Sequence, residues 1–174
     1  MDQDRISWLN ARLPTKRAIG HGLIRSVDGR VLLCQLTYKQ AWDLPGGVVE
    51  LGESPRLGCL REVEEELGLA VHSHGLLAVN WMPAWRGWDD ACTFLFDLGV
   101  HALDLLDRLA LQRREIAAVH WCTREDVQRQ AASATARLLD QVLPRLDRGE
   151  TGTLYVEDAQ HPPALSGDPA PLSP

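Results

Sequence analysis

Apolar positions along the chain change period several times, and the changes outline its elements. Residues 18–25 and 30–36 are apolar, β-rich runs joined around Asp28-Gly29, a strong hairpin-turn pair. Residues 75–81, 91–98 and 118–122 predict three further strands, and 152–157 a short terminal one. Helical spacing replaces alternation elsewhere. Ile6, Leu9 and Leu13 within residues 2–13 predict a short amphipathic N-terminal helix. Leu138, Leu139, Val142 and Leu146 form the inward stripe of a helix over 133–146. Between them, Ser54 can cap a helix that begins at Pro55, runs to Leu67 and stops at Gly68, a residue suited to a left-handed C-cap. Thr123 caps a short helix from Arg124. Residues 101–114 fit either a short helix or a strand with a loop, and Trp42-Asp-Leu-Pro-Gly-Gly breaks regular structure. Strands outnumber helices, and helices both interrupt and close the chain, so the class is α+β.

Composition changes this picture little. At 174 residues the chain has the length of one domain, and 45% hydrophobic with 24% charged residues is ordinary for a soluble globular protein. We divide it into an N-terminal helical extension (1–15), a main domain (16–160) and a Pro-rich tail (161–174) whose composition favours disorder. A net charge of −6 argues against a generic nucleic-acid surface. It is compatible with a nucleotide whose phosphates are handled through a metal. Cys34, Cys59, Cys92 and Cys122 are spread without metal-ligand spacing and read as reduced structural thiols. No basic-then-apolar leader and no membrane-length apolar run is present, so the expected location is cytoplasmic, with no membrane partner.

The chemistry concentrates in residues 47–69. Glu62, Glu64, Glu65 and Glu66 crowd one stretch of helix, with Glu53 just upstream. Like charges at helical neighbour spacing cost about 0.2–0.5 kcal/mol per pair, so a neutralising partner is expected. Glu62, Glu65 and Glu66 share one helix face, with Glu64 left toward solvent. Gly58 lies four residues before Glu62 on that face; glycine there costs about 1 kcal/mol against alanine, which a groove for a bulky ligand would justify. Leu60, Val63 and Leu67 anchor the other side. Carboxylates without His or Cys suit a hard cation, Mg²⁺ or Mn²⁺, able to clamp a polyphosphate and activate a water. Arg61 can pair with Glu53. A Glu-rich helix alone is more often a solvated face; Gly46-Gly47, Glu53 and Arg61 at these offsets reverse that balance.

Residues 47–69 resemble the box of the Nudix hydrolase family, G-x5-E-x7-R-E-U-x-E-E-x-G-U with U a bulky aliphatic. Gly47, Glu53, Arg61, Glu62, Val63, Glu65, Glu66, Gly68 and Leu69 fill every defined position. The element order from about Ala18 to Leu146 is also similar. The resemblance implies an α/β/α sandwich with a mixed central sheet and hydrolysis of a nucleoside diphosphate linked to another moiety, by attack of metal-activated water. It further implies Glu62, Glu65 and Glu66 as metal ligands, often joined by the Gly46 carbonyl. Glu53 would then orient or activate water with Arg61 as its partner. Glu115, before Trp121, is a candidate additional ligand or general base, the alternative being a surface glutamate beside Arg113 and Arg114.

Substrate candidates are looser. Trp81, Trp85 and Trp88 could wall a base or another flat group, stacking being worth about 1–3 kcal/mol, or could instead cover a sheet edge or a subunit contact. The segment 85–90 reads as a mobile, polar loop lining the site. Tyr38 and Lys39 are candidate phosphate or sugar contacts, His21 could reach the site or be a satisfied core histidine, and Trp42 reads as packing. The substrate stays open between a nucleoside triphosphate and a nucleotide sugar or ADP-ribose type. Two alternatives stay open as well: a non-catalytic nucleotide-sensing module, and a pyrophosphohydrolase of a non-nucleotide diphosphate. Monomer and homodimer are both compatible with the sequence.

Overall fold

A computed structural model describes residues 2–158. The 161–174 tail therefore lies outside the described residues. Helix α1 spans Gln3–Asn10, followed by strands β1 (Arg17–Ser26), β2 (Val31–Leu36) and β3 (Gly46–Val48) and helix α2 (Pro55–Leu67). Strands β4 (Gly75–Met82) and β5 (Ala91–His101) precede a 3-10 turn at Leu103–Arg108. Strand β6 (Ile116–Cys122), helices α3 (Arg124–Gln130) and α4 (Ser133–Asp147) and strand β7 (Leu154–Glu157) complete the chain. The ambiguous 101–114 stretch is thus the end of a strand followed by the 3-10 turn.

One mixed sheet runs β6-β2-β1-β5-β4-β7, with β3 added beside β1. The β1/β5 and β4/β7 pairs are parallel and the others antiparallel. The predicted β1–β2 hairpin closes through Ser26 N–H to the Arg30 carbonyl (2.8 Å), and its one register pair is Arg25↔Val31. On its other side β2 pairs with β6 from Val31 to Leu36, while the first half of β1 takes β3 as its neighbour. The segment 42–47, expected to break regular structure, does so only in part: Trp42 and Asp43 form isolated bridges with Ala131 and Cys34, and Gly46 and Gly47 open β3.

Period-2 alternation gives the sheet two apolar faces, and each carries a core. Ile24, Leu32, Leu36, Phe96 and Ile116 pack with Cys59, Val63 and Leu67 of α2. Leu23, Val31, Leu33, Ala78 and Leu95 pack with Val127 of α3 and Leu138, Leu139, Val142 and Leu143 of α4. This is the α/β/α sandwich expected from the resemblance. Leu146 packs against the second core as the helical stripe predicted, and α4 continues through Pro144 to Asp147. Helix α1 forms within the predicted stretch, with Asp2 as its cap, but it ends at Asn10, short of Leu13; it buries none of its residues, and Ile6 and Leu13 remain exposed. All four cysteines are free, three of them buried.

Candidate active site

Helix α2 is fixed at both ends by the residues its sequence announces. Ser54 Oγ accepts from Leu57 N–H (3.3 Å), and Gly68 takes the left-handed conformation at φ 64°, its N–H donating to the Glu64 carbonyl. Its buried face consists of Gly58, Cys59, Val63, Glu66 and Leu67, while Leu60 is only half-buried. Full burial of a Val or Leu side chain is worth about 1.5–3 kcal/mol, so Val63 and Leu67 suffice to seat the helix on the sheet. One carboxylate, Glu66, therefore goes down with the core face, and Glu64 and Glu65 stay exposed.

Strand β3 brings the glycine pair under this helix, with Gly20↔Gly47 and His21↔Gly46 in register. The Gly46 N–H donates to Glu66 Oε2 at 2.9 Å. A Cβ on Gly47 would lie 2.7 Å from the Glu62 carboxyl carbon, so a larger residue there would push the Glu62 carboxylate from its place. Gly58 has a different reason from the expected ligand groove. It is buried, and a Cβ there would meet Glu53 Oε2 at 2.8 Å and Val49 at 3.3 Å. The missing side chain makes room for the chain's own Glu53 and its loop.

Arg61 organises the carboxylates. Its Nε and Nη2 donate to the two oxygens of Glu53, each at 3.1 Å, as a bidentate pair. Nη1 donates to Glu62 Oε1 (3.0 Å) and Glu65 Oε2 (3.2 Å), and Nη2 also to the Val48 carbonyl (3.3 Å). The Glu50 N–H adds a bond to Glu53 Oε2. These donors hold the Glu53 carboxyl below its ordinary range, Arg61 first. Glu66 moves the other way: burial pushes its carboxyl up to about 7, opposed by the Gly46 N–H and reinforced by Glu62, Glu115 and Asp43. Burial also raises Glu62, with Arg61 opposing.

This donor set suits a hard divalent cation: oxygen only, one desolvated carboxylate, and mutual repulsion that a cation would relieve. As the side chains stand, however, they do not converge; among the described residues no group of three or more His, Cys, Asp or Glu is arranged to hold an ion. Arg61 lies between Glu62 and Glu65 and supplies their positive charge. The expected metal-facing triplet is thus a face shared with an internal cation.

The other candidates distribute unevenly. Glu115 sits immediately before β6, its backbone joined to Thr37 and Gln112, and its charge acts on both Glu62 and Glu66. Tyr38 is exposed beyond the end of β2, within the field of Glu66 and Glu115 as well. Lys39 is engaged by Asp43 at 2.8 Å. His21 is half-buried, and its imidazole is lowered by that burial. Trp42 stacks on His120 at 4.2 Å. Trp81 donates from Nε1 to Asp90 (2.9 Å). Trp85 and Trp88 pair their backbones around Arg86 (φ 47°) and Gly87 (φ 82°), a tight primed turn in place of the loose loop expected. The guanidinium of Arg17 lies 4.8 Å from the Trp88 ring and that of Arg86 4.4 Å from Trp85. Arg17 precedes Gly20, where α2 sits on β1, by three residues. At about 3.3 Å per strand residue the hairpin base is about 10 Å from the helix start.

Residues 14–144 match the NUDIX domain family model. The chain belongs to the Nudix family. It is 43% identical to a MutT-like protein of Streptomyces ambofaciens over 58 residues, 33% of this chain and 38% of that one. It is 30% identical to an RNA pyrophosphohydrolase of Rhodospirillum rubrum over 79 residues, 45% and 46% of the two chains. It spans less than half the length of these curated relatives. The crystal structure of a MutT protein from Methanosarcina mazei Go1 superposes with a TM-score of 0.60 and 26% identity, covering 79% of this chain and 98% of that one. Among the described residues, no helix is long and apolar enough to cross a membrane.

Two features of the Nudix site escaped the sequence reading. Arg61 reaches Glu62 and Glu65 in addition to Glu53, a reach that its positions one before and four before those residues could have suggested. Asp43, hidden within the break before Gly46, binds Lys39 and Thr135; no local pattern announces a partner so distant in sequence.

Proposed function

We propose that this Nudix chain is a divalent-cation-dependent pyrophosphohydrolase that cleaves a phosphoanhydride in a nucleoside diphosphate linked to another moiety. The observation that carries this reading is the Glu66 carboxylate, desolvated and held on the Gly46 N–H beside Glu62, with Glu53 locked on Arg61 one turn away. Glu62, Glu65, Glu66 and the Gly46 carbonyl are the groups that would hold Mg²⁺ or Mn²⁺. Such an ion, when bound, supplies Lewis-acid polarisation and orientation of phosphate and water.

The chain's own residues do the rest. Glu53, kept ionised by Arg61, is an acceptor of fixed direction for the attacking water. Glu115 faces the same cluster from the β6 side and serves as a further ligand or as the base. Tyr38, within the field of Glu66 and Glu115, and its neighbour Lys39 are our candidates for phosphate or sugar contacts, and Trp81, Trp85 and Trp88 for the far moiety. Relatives named for MutT and for RNA pyrophosphohydrolase support nucleotide chemistry without choosing a substrate.

The test is hydrolysis of triphosphates, nucleotide sugars, ADP-ribose and dinucleoside polyphosphates, each with Mg²⁺ and with Mn²⁺. Nucleoside monophosphate release that requires the ion is expected. Glu66→Gln should lower kcat by about 100-fold, the upper end of what loss of metal-site support costs, in a protein that still melts cooperatively. A fully active Glu66→Gln, or binding without turnover across the panel, would overturn the assignment.

A further inference from the structure

The segment that delivers Gly46 to Glu66 is stitched to nearly every neighbouring element. Trp42 exchanges backbone bonds with the α3–α4 junction, its N–H to the Gln130 carbonyl and its carbonyl from the Ala132 N–H, both 2.8 Å. Asp43 pairs both backbone groups with Cys34 of β2 (2.7 and 3.0 Å). The Pro45 carbonyl accepts from Gly22 of β1 at 2.9 Å. At position 43 a side chain adds to this backbone pairing.

The side chain that does stand there is a carboxylate, only 13% exposed. Burying a charge costs several kcal/mol unless it is fully bonded, and an apolar residue of that shape would avoid the cost. Every oxygen is used. Oδ1 accepts from Thr135 Oγ1 at 2.5 Å and from the Leu44 N–H at 3.0 Å, and Oδ2 accepts from Lys39 Nζ at 2.8 Å. Thr135 is itself buried, on the first turn of α4. That helix packs on the sheet face opposite α2. Asp43 therefore joins the two helical layers around the sheet: Thr135 on one side and, three residues along the chain, the Gly46 N–H on Glu66 on the other.

We propose that Asp43 is a positioning residue for the acidic cluster, transmitting the location of α4, through Thr135, to Gly46 and thence to the Glu66 carboxylate. It touches no reacting group itself. The inference rests on the hydrolase reading for its kinetic consequence, but its effect on cation binding is independent of turnover.

Three variants test it: Asp43→Asn, which keeps shape and the Oδ1 acceptor; Asp43→Leu, which keeps approximate shape and no acceptor; and Thr135→Val, which removes one hydroxyl. Mn²⁺ binding to the protein alone is measured by titration, and kcat and KM on a hydrolysed substrate. Asp43→Leu should weaken Mn²⁺ binding and lower kcat, each by about tenfold, with KM within about twofold. Thr135→Val should show about a threefold loss of the same two quantities, and Asp43→Asn should restore both to within about twofold. The double variant Asp43→Leu/Thr135→Val should be no worse than Asp43→Leu, because both cut one chain of contacts. Wild-type Mn²⁺ affinity in folded Asp43→Leu, additive losses in the double variant, or a change confined to KM overturns the proposal. Should Asp43→Leu fail to melt cooperatively, Thr135→Val decides: a threefold loss supports it and wild-type values overturn it. A wild-type protein that binds Mn²⁺ without turnover overturns the hydrolase reading alone, and the Mn²⁺ titrations still read the Asp43 link; a wild type that binds no Mn²⁺ overturns both.

Discussion

The box segment and the tryptophan hairpin both flank the first half of β1, and they are held by opposite means. In the box, one guanidinium satisfies three carboxylates and a carbonyl, and the backbone follows from those charges. In the hairpin, two reciprocal backbone bonds and a primed turn fix the chain, while the Trp85 and Trp88 rings stay half exposed under Arg86 and Arg17. The first arrangement dictates where charge must sit, so its residues have little latitude. The second dictates only a turn, and it leaves the Trp85 and Trp88 rings with surface open to solvent. A site that fixes its chemistry and leaves its reach adjustable has this division of labour.

Glu66 of the box and Asp90 at the hairpin base should respond to pH with opposite sign. Glu66 titrates near 7 in the fold, against about 4.5 for an ordinary glutamate, so between those values the folded protein binds the extra proton. Without a divalent cation, stability is fully present below the unfolded value and falls as pH rises to 7, by on the order of 3 kcal/mol. At the base of the hairpin, Asp90 is lowered by Lys16 and then by the Trp81 N–H. Its contribution is present above the ordinary aspartate value and is lost on acidification. Denaturant melts of metal-free protein at pH 5 and pH 8 read the first effect directly. In Glu66→Gln the difference should shrink toward zero, and an unchanged difference would assign it to other groups.

Arg61→Met attacks the box from its other side. Glu53, Glu62 and Glu65 lose their shared donor, and the partly buried carboxylates are left to repel one another. We expect about 1–3 kcal/mol of stability to be lost in metal-free protein, with part of it regained on adding Mg²⁺, because the ion takes over the same neutralisation. Thermal melts with and without Mg²⁺ measure both. A variant as stable as wild type without the ion would show that the guanidinium is not the internal counter-charge.

Legibility in the sequence follows the range of the interactions. The helix α2, its Ser54 and Gly68 ends and the strand periods depend on neighbours within a turn or a pleat, and they appear where the pattern puts them. The box positions are legible for the same reason, since Glu53 to Glu66 act within one loop and helix. What was hidden depends on chain segments meeting from afar: β3 inserting beside β1, the parallel β1/β5 pair, and Thr135 reaching Asp43. Gly58 was misread on this account, because the space it leaves belongs to Glu53 and Val49 and not to a ligand. Trp42 packs, as its place before Leu-Pro-Gly-Gly suggested, but its partner His120 could come only from the fold.

The smallest structural effect should come from the hairpin, which is what makes it informative. Trp88→Ala removes an exposed ring and its contact with Arg17, a pairing worth about 0.5–1 kcal/mol at such a site. The turn itself is closed by backbone bonds and by Gly87, so the fold should survive with a loss of stability no larger than that. Stacking of a flat substrate group on the same ring would be worth about 1–3 kcal/mol, or about 5- to 150-fold in KM. Substrate binding thus outweighs stability at this residue, the reverse of the expectation for Arg61. Steady-state kinetics on whichever substrate is turned over, set beside a thermal melt, separates the two. A raised KM with near-wild-type kcat and stability places the ring in substrate recognition. An unmoved KM leaves Trp88 as surface covering for the strand ends.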